Sequence, residues 1–341
     1  MTSARSYPHL VRQARDQIAV GEDRPHPRQN AAIVVFGTWM ILGLFLDGWS
    51  HIHRRPETFF TPWHGVLYSG FLAGVVWFAV DLRGGRTGLV GGRLTAIGLM
   101  IFAAAAVGDF GWHLLFGIER NVAALLSPTH LLLMTGGFLM VTAPVRDAWA
   151  YRPAGRVRWR EFWPVVGSLT LTVALALFFL QYISPFRAGI VAQPTTNSFR
   201  YLNESAEVRV IASVLVTTIV LVGVVLFVIS RWQPPVGTFT VIFTVTGVAM
   251  SGLDSFERLP LALCAVAGGL IADSLVENGV RARWVALLVP AALWLPYFVV
   301  FKVAYGLAWT IHLWLGTVFL AALTGAALSL LADPPAPPAR D

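Results

Sequence analysis

The sequence predicts an all-α fold, a polytopic integral membrane helix bundle of about ten transmembrane helices. Composition gives the first indication, because 56% of the 341 residues are hydrophobic and only 13% are charged. A soluble domain carries about a quarter charged residues. The mean hydropathy is +0.66, and apolar segments of roughly 20 residues, the length that crosses a bilayer core, recur along the chain.

The apolar segments give the order of the predicted helices. We place transmembrane spans at about 31–50, 62–82, 94–114, 127–145, 162–184, 208–230, 236–253, 260–279, 284–303 and 306–331. The spans near 236–279 are short and are interrupted by Gly252, Asp254 and Pro260.

Basic residues indicate the orientation of these helices. The isoelectric point is near 10.2, but most of the 25 lysines and arginines fall in alternate segments between the spans. This is the distribution of cytoplasmic loops, so we expect a bacterial-type inner membrane protein with both termini cytoplasmic and no nucleic-acid partner. The single cysteine, Cys264, excludes a disulfide framework and a thiolate metal site.

Four regions follow from these patterns. Residues 1–30 are a polar, cytoplasmic N-terminal segment, and residues 31–146 form a module of duplicated helix hairpins. Residues 162–331 supply the C-terminal transmembrane helices, and the Pro-rich residues 332–341 form a disordered tail.

The duplication is visible in polar residues that break the apolar segments. The first copy reads Asp47-x3-His51-x5-Glu57 followed by Thr61-Pro62-Trp63-His64, and the second reads Asp109-x3-His113-x5-Glu119 followed by Ser127-Pro128-Thr129-His130. The first three positions recur at an offset of 62 residues and the last histidine at 66. Under the predicted topology all of these residues lie on the extracytoplasmic face.

The spacing predicts that each copy gathers one aspartate and two histidines. Asp47 and His51 are four residues apart at the end of a helix and share one face, as Asp109 and His113 do. Thr61 and Ser127 fit the N-cap position, and a proline fits the first helical position after them. The histidines His64 and His130 then fall in the first turn of each returning helix.

Two imidazoles and one carboxylate with open positions are typical of catalytic metal sites. We therefore predict two ligand sets, Asp47, His51 and His64, and Asp109, His113 and His130, which form one mononuclear site per hairpin or one dinuclear site between the hairpins. Glu57 and Glu119, in the connecting loops, are the candidate catalytic residues, because they could complete coordination, bridge or move protons. The ligand types suit copper, iron, zinc or manganese. In the alternative interpretation, the same groups only form ion pairs that close helix ends.

The spacing Asp47-x3-His51-x12-His64 resembles the copper-binding pattern in the C subunit of the particulate methane and ammonia monooxygenase family. Asp109-x3-His113-x16-His130 is similar to that family's nearby second site, with Asp in place of Asn and a longer loop. The resemblance covers about residues 47–130. It implies an all-helical membrane protein, copper as the metal, and dioxygen chemistry on an apolar substrate.

Several functions remain compatible with the sequence. The preferred one is an integral membrane metalloprotein acting as a copper-dependent, monooxygenase-like oxidoreductase, or as a subunit of one, with membrane lipid, other subunits and a small apolar substrate as partners. The first alternative is non-enzymatic binding, storage or transfer of copper or zinc. A transporter and a zinc-dependent membrane hydrolase are further alternatives. A transporter would need polar groups that continue through the bilayer.

A separate acidic pair lies near the other end of the predicted bundle. Asp273 and Glu277 are four residues apart on one span. We expect them to pair with the nearby Arg281 or Arg283.

Overall fold

The computed structural model describes residues 26–53, 61–84, 90–117, 122–150, 155–188 and 200–332. These residues form a helical bundle, and no β-strand occurs among them. Nine of the helices in these ranges are long and apolar enough to cross a membrane. The predicted all-α, polytopic membrane fold is therefore confirmed.

The described residues contain twelve α-helices. They are α1 Pro27–Ile52, α2 Pro62–Arg83, α3 Gly92–Phe116, α4 Val122–Leu126, α5 Pro128–Val141, α6 Ala143–Ala150, α7 Trp159–Phe179, α8 Arg200–Arg231, α9 Thr238–Gly252, α10 Leu259–Glu277, α11 Ala282–Tyr305 and α12 Ile311–Ala332. Helices α5 and α6 together make one apolar span, Pro128–Ala150.

Each of the ten predicted spans overlaps an apolar helix, and the span at 236–253, which was predicted to be short, corresponds to helix α9. Helix α9 has 15 residues, and at 1.5 Å per residue it is about 22 Å long, less than the thickness of a hydrocarbon core. Gly237, with φ 94°, immediately precedes it, and a tight turn at 253–258 follows it. The turn contains two non-glycine residues with positive φ, Ser255 and Phe256.

The N-terminal helices pack as two antiparallel hairpins, α1 with α2 and α3 with α5. Glycines allow the close approach within each hairpin. A Cβ on Gly43 would lie 2.4 Å from the backbone nitrogen of Leu67, and one on Gly98 would lie 2.7 Å from Cβ of Leu139. Small residues at such contacts let membrane helices approach closely where lipid gives no hydrophobic driving force.

Polar contacts join the hairpins at the end of the bundle where α1 begins. Asp147 on α6 accepts hydrogen bonds from the backbone and ring of His26 and from Asn30. Asp81 on α2 accepts one from Gln29. Asp81 and Asp147 are themselves separated by 66 residues, so the internal repeat extends to this end of the module.

Helix α7 connects the hairpins to the remaining helices. It packs against α1, α5 and α9, and most of its residues are buried. Beyond it, α9 to α12 pack in sequence as neighbours. The largest core cluster runs through both halves of the chain, from Met40 to Ala321.

The expectation for the second acidic pair was wrong. Asp273 accepts hydrogen bonds from the backbone N–H groups of Phe239 and Thr240 and from the Thr240 hydroxyl, and so closes the N-terminus of α9. Glu277 pairs with Arg156 at 2.6 Å. The buried N–H groups of a helix terminus need an acceptor, which explains why Asp273 is used there.

Candidate metal centre

The first ligand set is assembled where α1 ends and α2 begins. Asp47 Oδ2 lies 3.4 Å from His51 Nε2 and 3.6 Å from His64 Nε2. One ligand atom from each residue lies within 4.8 Å of the others. The side chain of Asp47 is 14% exposed and that of His51 is 27% exposed, so this group is reached from outside the bundle.

The second ligand set is built in the same way where α3 ends and α5 begins. Asp109 Oδ2 lies 3.4 Å from His113 Nε2, and Oδ1 lies 3.3 Å from His130 Nε2. The three residues again bring ligand atoms within 4.8 Å of one another. The side chain of Asp109 is 1% exposed. The two predicted ligand sets are thus brought together as two separate groups that could each hold a metal ion.

Helix capping places the second histidine of each set. The Thr61 hydroxyl accepts a hydrogen bond from the backbone N–H of His64, and the Ser127 hydroxyl accepts one from that of His130. A proline occupies the first turn after each cap. These are the local structures that the Thr/Ser-Pro-x-His pattern predicts. In the first set the Thr61 oxygen also lies 3.0 Å from His64 Nδ1 and so orients the ring.

His113 is held in the tautomer that suits metal binding. Its Nδ1 lies 3.2 Å from the carbonyl oxygen of Gly117, and because a carbonyl only accepts, Nδ1 carries the proton. In the neutral ring, Nε2 then presents a lone pair toward the carboxylate of Asp109. Such a hydrogen bond from the second ring nitrogen is typical of metal-binding histidines.

The buried carboxylate of Asp109 indicates whether a cation fits the second group. Asp109 Oδ2 is buried and has no hydrogen-bond partner among the described residues. A buried carboxylate oxygen without a donor is costly, and a bound cation would compensate it. The donor set, two imidazoles and a carboxylate at each group, therefore fits a divalent metal ion.

A chain of hydroxyl groups holds the other oxygen of Asp109. The Thr129 hydroxyl donates to Asp109 Oδ1 at 2.8 Å, and Ser127 Oγ lies 3.2 Å from Thr129 Oγ1. Because the Thr129 proton is used by Asp109, Ser127 donates to Thr129. Sequence reasoning missed this link, although Thr129 stands next to His130 in the repeat. The matching residue of the first set is Trp63, which has no hydroxyl.

The two groups lie close enough to interact. His64 of the first set interacts electrostatically with Asp109 and His113 of the second. Tyr68, one turn after His64 on α2, interacts with both Asp47 and Asp109. Its ring is nearly parallel to that of His64, at 6.1 Å between centroids and an interplanar angle of 13°. Tyr68 is therefore a polar residue shared by the two groups.

His53 has a different environment from the predicted ligands. Its Nδ1 lies 2.8 Å from the Trp49 carbonyl oxygen and its Nε2 lies 3.1 Å from Ser255 Oγ. Trp49 donates to the same serine hydroxyl at 2.9 Å. These contacts fasten the end of α1 to the turn after α9. Neither group that could hold a metal ion includes His53.

The two predicted catalytic glutamates cannot be placed. Glu57 lies in the segment 54–60 and Glu119 in the segment 118–121, and both segments lie outside the described residues. Their roles in coordination or proton transfer stay predictions.

An apolar cavity of ≈ 40 Å³ lies between the hairpins. Its lining includes Met40, Gly70, Phe71 and Leu99. Met40 precedes Asp47 by seven residues, so the cavity begins about 10 Å along the helix axis from the first ligand set. Thr95 also lines it, but its hydroxyl donates to the Val90 carbonyl, and the cavity wall stays apolar.

The fold and the site together define a class, a polytopic helical membrane protein with two Asp/His/His groups that could each hold a metal ion. Comparison of the chain with protein families, with curated proteins and with solved structures found no match.

Proposed function

We propose that this chain is an integral membrane metalloprotein that binds copper at both Asp/His/His groups and acts as a copper-dependent oxidoreductase, or as a subunit of one, on a small apolar substrate. The observation that carries the proposal is the double convergence of a carboxylate and two imidazoles. In each group one ligand comes from the first turn of a returning helix and two from the last turns of the helix before it.

Structural ion pairing explains this arrangement less well than metal binding does. A buried aspartate that only closed a helix end would accept hydrogen bonds at both of its oxygens, whereas Asp109 Oδ2 makes no hydrogen bond among the described residues and lies 3.4 Å from His113 Nε2. The His113 proton lies on Nδ1, away from Asp109. In this tautomer a neutral His113 directs the Nε2 lone pair toward Asp109 Oδ2, 3.4 Å away, and a cation bound between these two atoms would satisfy both.

The ligand types alone suit copper, iron, zinc or manganese, and two further arguments favour copper among them. For a given set of nitrogen and oxygen ligands, the affinity of divalent first-row metals is greatest for Cu(II). The resemblance of Asp47, His51 and His64 to the copper-binding pattern of the methane and ammonia monooxygenase C subunit supports the same metal. With three protein ligands per group, coordination positions remain for an exogenous molecule.

An oxidoreductase is favoured over a transporter by the surroundings of the groups. Bound copper would supply one-electron redox chemistry and dioxygen activation. The apolar cavity between the hairpins suits an uncharged substrate that arrives from the bilayer, whereas a transported ion needs polar groups along its path. Thr61, Thr129 and Gly117 would orient the metal ligands His64, Asp109 and His113. Glu57 and Glu119 are our candidates for moving protons.

The proposal places both groups at the extracytoplasmic face. The support is the distribution of arginines, which concentrate in the segments that connect the opposite ends of the hairpins. Accessibility of a cysteine introduced at position 53, measured with a membrane-impermeant thiol reagent in intact cells, would test this placement.

Metal analysis of the purified protein tests the ligand assignment. We expect two copper ions per chain in the wild type, one in His51→Ala, one in His113→Ala and none in the double variant. His312→Ala is the matched control, because His312 is exposed and belongs to neither group. Retention of two ions by the double variant would refute the assignment.

A second measurement tests the oxidoreductase. Protein reconstituted in vesicles with an electron donor should consume dioxygen in the presence of an apolar substrate, and the consumption should be lost in the double histidine variant. Stoichiometric copper binding without any substrate-dependent oxygen uptake, in the intact complex as well as in the isolated chain, would favour metal storage or transfer instead.

A further inference from the structure

We infer that the two metal groups are unequal: the second group retains its metal ion, the first exchanges it, and Thr129 is the positioning residue responsible for the difference. The inference rests on the proposed metal binding and adds that the two groups exchange their metal ions at different rates. The observation behind it is that a hydroxyl bonds the aspartate of the second group, whereas the equivalent position of the first group is a tryptophan.

The hydrogen-bond chain at the second group has a single direction. The backbone N–H of His130 donates to Ser127 Oγ, Ser127 donates to Thr129, and Thr129 donates to Asp109 Oδ1. Ser127 thus caps the helix that carries His130 and is linked through Thr129 to a second ligand, Asp109. The cap fixes the His130 backbone, while Nδ1 of the His130 ring has no hydrogen-bond partner among the described residues. Because Oδ1 is occupied by the hydroxyl, Oδ2 is left to coordinate, and the carboxylate is fixed before a metal ion arrives.

The first group lacks this chain because Trp63 stands where the second group has Thr129. The Thr61 hydroxyl is directed to the Nδ1 and backbone N–H of His64, and Trp63 packs edge-on against Trp49 at 5.8 Å between ring centroids. Thr61 therefore orients an imidazole and not the carboxylate. Because Trp63 has no hydroxyl, it cannot donate to Asp47 in the way that Thr129 donates to Asp109.

Exposure of the aspartate and of the first histidine separates the two groups in the same direction, whereas the second histidine differs the other way, with side chains 10% exposed for His64 and 22% for His130. The side chains of Asp109 and His113 are 1% and 8% exposed, against 14% and 27% for Asp47 and His51. A metal ion leaves a site through attack by water or a competing ligand, so exposure of two of its three ligands speeds exchange. Fixed orientation of the ligands also lowers the ordering cost of binding. Both effects favour retention at the second group.

The test is isotope exchange on the full-length protein in detergent or nanodiscs. Protein loaded with ⁶³Cu is mixed with excess ⁶⁵Cu, and the retained isotope is followed by mass spectrometry. We expect two phases of about equal amplitude. His51→Ala should remove the fast phase, and His113→Ala should remove the slow phase. A single common rate, or loss of the slow phase in His51→Ala, would overturn the inference.

Variants of Thr129 test the positioning role directly. Thr129→Val removes the hydroxyl at nearly constant volume and should speed the slow phase by about 10- to 100-fold, the range found when a partner of a metal ligand is removed. Thr129→Ser should restore it. Thr135→Val is the control on the same helix, because the Thr135 hydroxyl donates to the Leu131 carbonyl of its own helix and to no aspartate among the described residues. An unchanged slow phase in Thr129→Val would refute the role of the hydroxyl.

Two further readouts distinguish a folding defect or a loss of metal binding from a change in the exchange rate. The fast phase of Thr129→Val reports whether the first group is still intact, and the electron paramagnetic resonance signal of Cu(II) at the second group should change in this variant alone. Absence of copper from the wild type would contradict the proposed function itself, whereas two ions with equal exchange rates would contradict only the inequality.

Discussion

Gly136 on α5 lies so close to Phe102 on α3 that a Cβ on the glycine would be 2.8 Å from the phenylalanine's backbone nitrogen. The first hairpin has the same contact at the same distance, between Gly70 and Met40. The two glycines follow His64 and His130 by six residues each, and Met40 and Phe102 are related by the 62-residue offset. The repeat therefore preserves the helix spacing next to each Asp/His/His group as well as the residues of the group.

Alanine at these glycines should separate the paired helices. Gly136→Ala and Gly70→Ala each require a backbone shift, and we expect a loss of about 1–3 kcal/mol of stability, as for other overpacked sites. Because the histidine lies less than two turns away, each variant should also weaken metal binding at its own group. Thermal unfolding in detergent and copper content would measure both effects.

The control for this pair is Gly223→Ala on α8. A Cβ at Gly223 meets no atom within 4 Å, so this variant should unfold at the wild-type temperature and hold two copper ions. Equal behaviour of Gly223→Ala and Gly136→Ala would contradict the proposed spacing role.

The sequence was sufficient to predict the ligand groups because their signals are local. The i, i+4 spacing of Asp47 and His51 and the N-cap at Thr61 each depend on one helix end. Contacts between distant segments could not be predicted in this way. Asp273 was expected to pair with an arginine nearby in sequence, but α9 packs against α10 and presents its own N-terminal N–H groups, which only the tertiary structure reveals.

The hydrogen-bond chain from Ser127 to Asp109 is a second feature that could not be predicted from the sequence. Thr129 and Trp63 occupy equivalent positions in the repeat, and neither residue type by itself predicts a hydrogen bond to the aspartate. Only the position of the Asp109 carboxylate beside the Thr129 hydroxyl distinguishes them.

Gly117 should be required for the tautomer of His113. Its φ of 77° and ψ of −175° lie in a region that is essentially restricted to glycine, and its carbonyl accepts the His113 Nδ1 proton. Gly117→Ala should therefore displace that carbonyl and lower copper affinity at the second group, with the first group unchanged. Metal titration of the variant in a His51→Ala background isolates the second group.

Gly155→Ala provides the matched control for backbone strain. Gly155 also has a positive φ, 91°, with no atom within 4 Å of its Cβ position, but it lies far along the chain from either group. Both variants should lose about 1–3 kcal/mol of stability, and only Gly117→Ala should lose copper affinity. Loss of affinity in both would show that strain in general, and not the carbonyl, is responsible.

The Thr61 hydroxyl should influence both stability and metal binding at the first group. Thr61→Ala removes the cap of α2, which costs about 1 kcal/mol, and also frees the His64 ring to rotate. Copper affinity at the first group should fall, and Thr61→Ser should restore it together with the stability. A Thr61→Ala protein that is less stable but titrates like the wild type would show that capping is the only role of this residue.

Asp273 should contribute to stability without contributing to metal binding. Asp273→Ala would leave the Phe239 and Thr240 N–H groups of α9 without their acceptor, and an unsatisfied buried donor costs about 1–3 kcal/mol. The comparison is Glu277→Ala, whose partner Arg156 is 50% exposed, so that loss should stay within about 1 kcal/mol. Both variants should keep two copper ions per chain. Unfolding temperature and copper content should be measured on the same samples. Removal of Asp273 should lower only the unfolding temperature, whereas removal of Asp47 or Asp109 should cost one metal ion each. Copper loss in Asp273→Ala at a temperature where the bundle remains folded would contradict that division.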